Sequence, residues 1–293
     1  MTATDDLSYL AAGGKLSAPE NATPRYRGEV MRLMAVLTDS LMAGASGFAD
    51  CINRAPGVKE RIAAARIVLE KFGHAEKILV LMDGFGANTA RYVTAQPWAA
   101  RLDRSASLGT RRTGGDMRLN VFHYPIYGWV DAIVLNVLMG RATVIQLEEF
   151  TTCSYDPLAA VVSEILPVEA RHADLGVKGL RAAMAAGHDP TDAQASLNYW
   201  YPRVADTFGR AGSEHFETYR RYGLREHPNE LLLERWRAEV GPLIAGFGLK
   251  APEPAAARGC VEMYLDHVLQ ANEGADLDFL VGRTGSPVPR DNH

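Results

Sequence analysis

The sequence predicts an all-α protein. It reads as a bundle of four long helices in two pairs, with one long crossover between the second and third and further helices towards the C-terminal end. Three observations predict this. Apolar residues recur at helical spacing over four separate stretches. Proline and glycine punctuate the chain between them. Strand-like alternation is nearly absent.

The first stretch begins at Tyr26. "VMRLMAVLTDSLMAG" carries few charges, so it predicts a largely buried helix. "NRAPG" breaks it at Pro56 and Gly57. "KERIAAARIVLEKFGHAEKILVLMDGFG" predicts a second helix from about Val58 to Met82, with Gly84 and Gly86 suited to stop it. Residues 87–120 are mixed and polar, and "RRTGGD" is a loop, so this segment forms the crossover. "FHYPIYGWVDAIVLNVLMGRATVIQLEEF" predicts a third helix starting near Pro125. After the turn "TTCSYDP", Pro157 opens a fourth that runs to about Ala186. Pro167 lies inside it and is expected to kink it. "GHDPTD" ends it, and Asp189 or Thr191 can cap the next segment. Residues 191–275 read as further helices packed on the bundle. The layout is that of a ferritin-like bundle with one crossover. The expected organisation is a flexible arm at 1–24, one helical domain at 25–275 and a flexible tail at 276–293.

The bulk properties narrow the function classes. A chain of 293 residues can bury a sizeable core, and 47% hydrophobic residues is ordinary for a globular protein. The formal net charge is -4 and there is no dense basic run, so nothing points to nucleic acid or an anionic membrane. The apolar stretches read as too short or too broken to span a bilayer. "MTATDDLSYL" is acidic and lacks the apolar run of a signal peptide. Cys51, Cys153 and Cys260 are far apart and odd in number, which fits reduced thiols and a cytoplasmic location.

One stretch carries chemistry. "EARHADLG" places Glu169 and His172 three residues apart, on one face of the fourth helix. A carboxylate-bridged di-iron bundle uses a Glu-x-x-His from each of two helices and one carboxylate from each of the other two. The second helix reads "EKFGH": His74 is present, but the residue three before it is Lys71. Glu70 is four before it, about 100° round the helix from Lys71. The remaining carboxylates belong about thirty residues upstream, one helix and a turn away. Those places fall at Leu41 and at Met139 or Gly140. Asp39 points elsewhere, and Glu148 and Glu149 come two to three turns too late. His74, Glu169 and His172 therefore remain as ligand-like residues, and a di-iron centre is not expected. A lysine ammonium has three donors and no lone pair. It repels a metal, yet can occupy the cation's place and pair with Glu169.

The order of several short motifs adds a family resemblance. "NRAP" at 53–56, "FGHAEK" at 72–77, "FHYPIYGW" at 122–129, "CSYDP" at 153–157 and "EARH" at 169–172 follow one another without a gap. "NYWYP" at 198–202, "FG" at 208–209 and "GLKAPEP" at 248–254 continue the series. Over about 30–255 the chain resembles the phenylacetyl-CoA epoxidase family, the phenylacetic acid catabolic proteins of PaaA and PaaC type, with benzoyl-CoA epoxidase as a relative. It is most similar to the catalytic type. The resemblance implies a ferritin-like fold and a di-iron monooxygenase acting on an aromatic acyl-CoA. It also implies a complex, in which a close relative keeps the fold without the metal. The family's metal-binding carboxylates fall here on Leu41, Lys71 and Gly140, and the PaaC-type subunit is similar in pairing a lysine with a carboxylate where iron would sit.

Three readings are open. The first is a non-catalytic or scaffolding subunit with Lys71 and Glu169 replacing the di-iron centre, working as a homo-oligomer or with a homologous helical subunit. The second is a non-haem oxygenase holding one iron on His74, Glu169 and His172, the two-histidine, one-carboxylate set. Its substrate would be of aromatic or acyl-CoA type, with Lys71 swung aside or binding an anion. The third is a helical bundle that holds an aromatic or acyl ligand in an apolar pocket. Other features read as bland: Tyr199, Trp200 and Tyr201 as core or interface, Arg111 and Arg112 as a solvated loop, "YRRYGLREHPNE" as an exposed helix end, and Glu148 and Glu149 as a polar helix end.

Overall fold

The structure is a computed structural model and describes residues 3–90, 94, 98–106, 108 and 115–252. The expected boundary at 275, the tail beyond it, Cys260, Arg111 and Arg112 lie outside the described residues.

Eight α-helices are described: α1 Ala3–Ala11, α2 Pro24–Ala49, α3 Val58–Gly84, α4 Trp129–Glu148, α5 Asp156–Ala185, α6 Pro190–Ala205, α7 Glu214–Arg221 and α8 Asn229–Ala245. No strand is formed among the described residues. Helix α2 packs along α3, α4 packs along α5, and α3 faces α5 across the interior. Helices α6 and α8 lie against α4. This is the all-α, ferritin-like arrangement the sequence predicts.

Local chemistry sets the helix ends. Thr23 caps α2 by accepting the Tyr26 N–H, and Pro24 starts the helix where no N–H is needed. Helix α3 ends at Gly84, and Gly86 takes the left-handed φ of +85° that its stop requires. The third long helix begins at Trp129 rather than near Pro125. A short 3-10 turn, Asn120–His123, comes first, and Gly128 at φ +94° then turns the chain into the helix. Asp131 accepts the Tyr127 N–H at 2.7 Å and ties that first turn down. Helix α5 runs from Asp156 to Ala185 with Pro167 inside it. Of the two proposed caps for α6, it is Asp189 that accepts from the Thr191 N–H.

The crossover is tied to α2 by buried polar contacts. Asp39, fully buried, accepts the Met117 N–H at 2.6 Å and the Trp98 indole N–H at 3.5 Å. Ser40 accepts the Leu119 N–H, and Arg101 donates to the Ala43 carbonyl at 2.9 Å. Gly47 leaves room for that guanidinium, since a Cβ there would lie 2.9 Å from it.

The stretch expected as a loose arm carries anchors of its own. Leu10 and Leu16 are buried in the main core. The Leu16 backbone bonds the Ser154 carbonyl at 2.8 Å and the Asp156 N–H at 3.0 Å. Helix α4 is long and apolar enough to cross a membrane, but 72% of its most apolar window is buried within the fold. It is the central core helix, covered by α5, α6 and α8. The motif "YRRYGLREHPNE" is not simply an exposed end. Arg220 and Arg221 are exposed, whereas Tyr219, Tyr222, Leu224, Arg225 and Asn229 are buried.

Candidate functional site

Helices α3 and α5 bring Lys71, His74, Glu169 and His172 together inside the bundle. Lys71 and His74 lie one turn apart on α3, and so do Glu169 and His172 on α5. Glu169 is the centre of the group and is fully buried. The Lys71 Nζ donates to Glu169 Oε2 at 2.6 Å. The His74 Nδ1 lies 2.9 Å from Glu169 Oε1. A carboxylate can only accept, so His74 carries its proton on Nδ1. Burial pushes the Glu169 carboxyl up, but the Lys71 ammonium and the imidazoles of His172 and His74 outweigh it. The group is held well below the usual carboxylate range and is ionised.

Glu70 joins the cluster, which its offset from the lysine register did not suggest. Its Oε2 accepts from His172 Nε2 at 2.6 Å, and its Oε1 accepts from Arg171 at 2.6 Å. The other ring nitrogen of His172, Nδ1, faces Glu169. That buried nitrogen has no hydrogen-bond partner and sits 3.5 Å from Glu169 Oε2. The two imidazoles lie nearly parallel, with centroids 6.1 Å apart.

The other ligand places hold no carboxylate, and at Gly140 there is no room for one. A Cβ on Gly140 would lie 2.9 Å from both Cα and Cβ of Ala173, so α4 and α5 touch where an acidic side chain would project. Leu41 and Met139, with Lys71, line an apolar cavity of about 80 Å³ between α2, α4 and the C-terminal helices.

Residues 1–271 match the family model described as phenylacetic acid catabolic protein. The chain belongs to that family. Phenylacetic acid catabolic proteins are all-α and ferritin-like, are typically iron-associated and are known from multi-subunit oxygenase complexes. Two curated proteins share short stretches with the chain. A putative dehydratase of Rhizobium meliloti is 57% identical over 42 residues, which is 14% of this chain and 7% of that protein. An L-arabonate dehydratase of Azospirillum brasilense is 60% identical over 35 residues, 12% of this chain and 6% of that protein. Matches that cover so little of either relative carry no argument about this site.

The donor set of this family member does not fit a two-metal centre. Among the described residues no group of three or more His, Cys, Asp or Glu side chains is disposed to hold a metal ion. The bridging carboxylate of the first Glu-x-x-His is a cation, and the third-helix position is filled by Ala173.

The remaining sequence candidates are structural in their contacts. Trp200 is buried and donates to Asp131 at 2.9 Å. Tyr199 is sandwiched by Arg104 and Arg203, at 4.2 and 3.7 Å from its ring centroid. Glu149 accepts the Glu226 and His227 N–H groups, and Glu148 pairs with Arg235, so both hold the C-terminal helices to α4. Cys51 and Cys153 are buried free thiols that donate to the Gly47 and Tyr155 carbonyls, and burial pushes each thiol up to about 11.

One feature gave no sequence signal. Val58, Ile62, Leu69, Phe72 and Val80 of α3 are exposed. At about 100° per residue they fall within a stripe about 80° wide along the outer face of the helix.

Proposed function

We propose that this chain is a non-catalytic, scaffolding subunit of an oxygenase complex, in which Lys71 and Glu169 replace the metal centre. The observation that carries the reading is the Lys71 ammonium 2.6 Å from the buried Glu169, in the register of a bridging ligand. The lysine supplies the positive charge that a cation would otherwise give to Glu169. The exposed apolar side chains on the outer face of α3, with Glu76 between Phe72 and Val80, support a helical neighbour, since exposed apolar surface gathered on one face marks interaction sites. A homologous subunit in the cytoplasm is the partner this reading calls for. The test is elemental analysis of the chain produced in iron-rich medium. The expected result is iron far below one per chain, with an intact fold and co-purification of a homologous helical subunit. One iron per chain would overturn it.

A second reading has one observation in its favour. The His172 Nδ1 makes no hydrogen bond and lies 3.5 Å from Glu169, which His74 also meets, so the residue types of a two-histidine, one-carboxylate set are neighbours, although they are not arranged here to hold a metal. It requires Lys71 to leave Glu169. It predicts stoichiometric iron that is lost in His172→Ala, and unchanged metal content in that variant would sink it. The third reading, a ligand-holding bundle, draws its support from the apolar cavity.

A further inference from the structure

We propose that the outer face of α3 pairs with the same face of a second copy of this chain, antiparallel, about a two-fold axis level with Lys71. The face carries its own complement in shape and in charge.

Positions 59, 62, 66, 69, 73, 76, 80 and 83 recur at alternating spacings of three and four, the repeat of a two-stranded helical seam. Seven of the eight are exposed, and Gly73 is partly so. The seam is about 36 Å long at 1.5 Å per residue, nearly the whole of α3. Lys71 and His74 leave the helix on the opposite side, towards Glu169, so the seam does not disturb that cluster.

In an antiparallel pair, a residue some positions before the axis meets the residue as many positions after it in the other copy. The eight positions are symmetric about residue 71. Ile62 and Val80 lie nine positions either side of it, so each apolar side chain meets another. Leu69 and Gly73 lie two positions either side. Leu69 is 73% exposed, and a Cβ on Gly73 would meet nothing within 4 Å. The leucine is a knob, and the bare glycine of the second copy is the hole that takes it. Phe72, exposed on the flank, closes this contact from the side.

The charges follow the same symmetry. Arg66 and Glu76 lie five positions either side of residue 71, and Lys59 and Asp83 lie twelve. Each cation is thereby set against an anion, and the two-fold axis makes each pair twice. Glu76, which interrupts the apolar stripe, is compensated in this way. These four side chains are exposed and make no ion pair within the chain among the described residues. Charges of α3 off the seam do make them: Glu70 pairs with Arg171, and Lys77 with Glu164. A parallel pair would set every residue against its own copy, with like charges facing at four of the eight positions, which opposes that direction. A different subunit would need the inverse of this pattern on its own helix, whereas a second copy has it by construction.

The scaffolding reading expects a helical neighbour on α3, and the pairing rests on that reading to this extent; a homologous subunit then takes another face. Iron content decides the one, and chain mass with charge exchange decides the other.

The test is size-exclusion chromatography with light scattering on the full chain, at concentrations up to about 0.1 mM. The expected mass is twice the 31.9 kDa of one chain. Arg66→Glu and Glu76→Arg should each weaken the dimer about tenfold, because each sets like charges across the seam. Both changes in one chain restore opposite charges and should return the affinity to near that of the wild type. Both residues are exposed, so thermal unfolding of the monomer should be unchanged. A monomer at every concentration overturns the proposal, as does a dimer that neither single change weakens. A double variant as weak as the single ones also overturns it. So does a mixed complex with a homologous subunit whose removal leaves this chain monomeric.

Discussion

At the scale of single residues the protein turns on Glu169. A fully buried carboxylate survives there only because Lys71, His74 and His172 meet it. Lys71→Met strips the ammonium and leaves the charge buried. It should cost about 3 kcal/mol, the low end for a broken buried pair, because the imidazoles remain. Adding Glu169→Gln removes the stranded charge and should recover more than half of that loss, as read by urea unfolding of the two variants. The pH dependence has a definite sign. Glu169 is held well below its ordinary 4.5, so its stabilisation is fully present above that value. It is lost as pH falls through the lower, folded-state pKa. The stability gap between the wild type and Glu169→Gln should therefore be wide at pH 7 and close in acid. The lysine three residues before His74 was legible from spacing, and its pairing with Glu169 was one of two alternatives that spacing left open. The Glu70–His172 bond was not legible. It joins two helices whose relative rotation the spacing on either one does not give.

At the scale of elements, α4 and α5 show why a carboxylate is not accommodated at position 140. Gly140 faces Ala173, and Gly176 faces the Val137 amide, where a Cβ would lie 3.1 Å away. Small residues let the two helices approach until backbone meets side chain. Gly140→Asp must push the helices apart and bury a carboxylate. It should lower stability by at least about 2 kcal/mol and bind no additional iron, measured by thermal unfolding and elemental analysis. Helix boundaries that depend on local chemistry were readable: Pro157 near the start of α5, Gly86 after α3, Asp189 before α6. The start of α4 was misplaced by four residues, from Pro125 to Trp129. Proline signals a possible helix start, but the Gly128 backbone and the buried Asp131 set the real one.

At the scale of the whole molecule, the bundle has a buried interior and one unusual outer face. The stripe of Val58, Ile62, Leu69, Phe72 and Val80 leaves large side chains in water along most of α3. Leu69→Asp with Phe72→Asp should change the stability of the isolated chain by only about 0.5 kcal/mol, since neither side chain is in the core. The same pair should abolish co-purification of the helical partner, read by size-exclusion chromatography with light scattering. Retained association would place the interface elsewhere.

The sequence by itself determined the helices, their pairing and the family. Those come from periodicity, breaker residues and the order of motifs, all local in the chain. Only the tertiary structure decided what Glu169 and His172 face. Lys71 meets Glu169 across 98 positions of sequence and Glu70 meets His172 across 102. The Ala173 backbone closes the place beside Gly140. Such contacts depend on how far each helix is rotated and how closely it is packed, and no single helix carries that information.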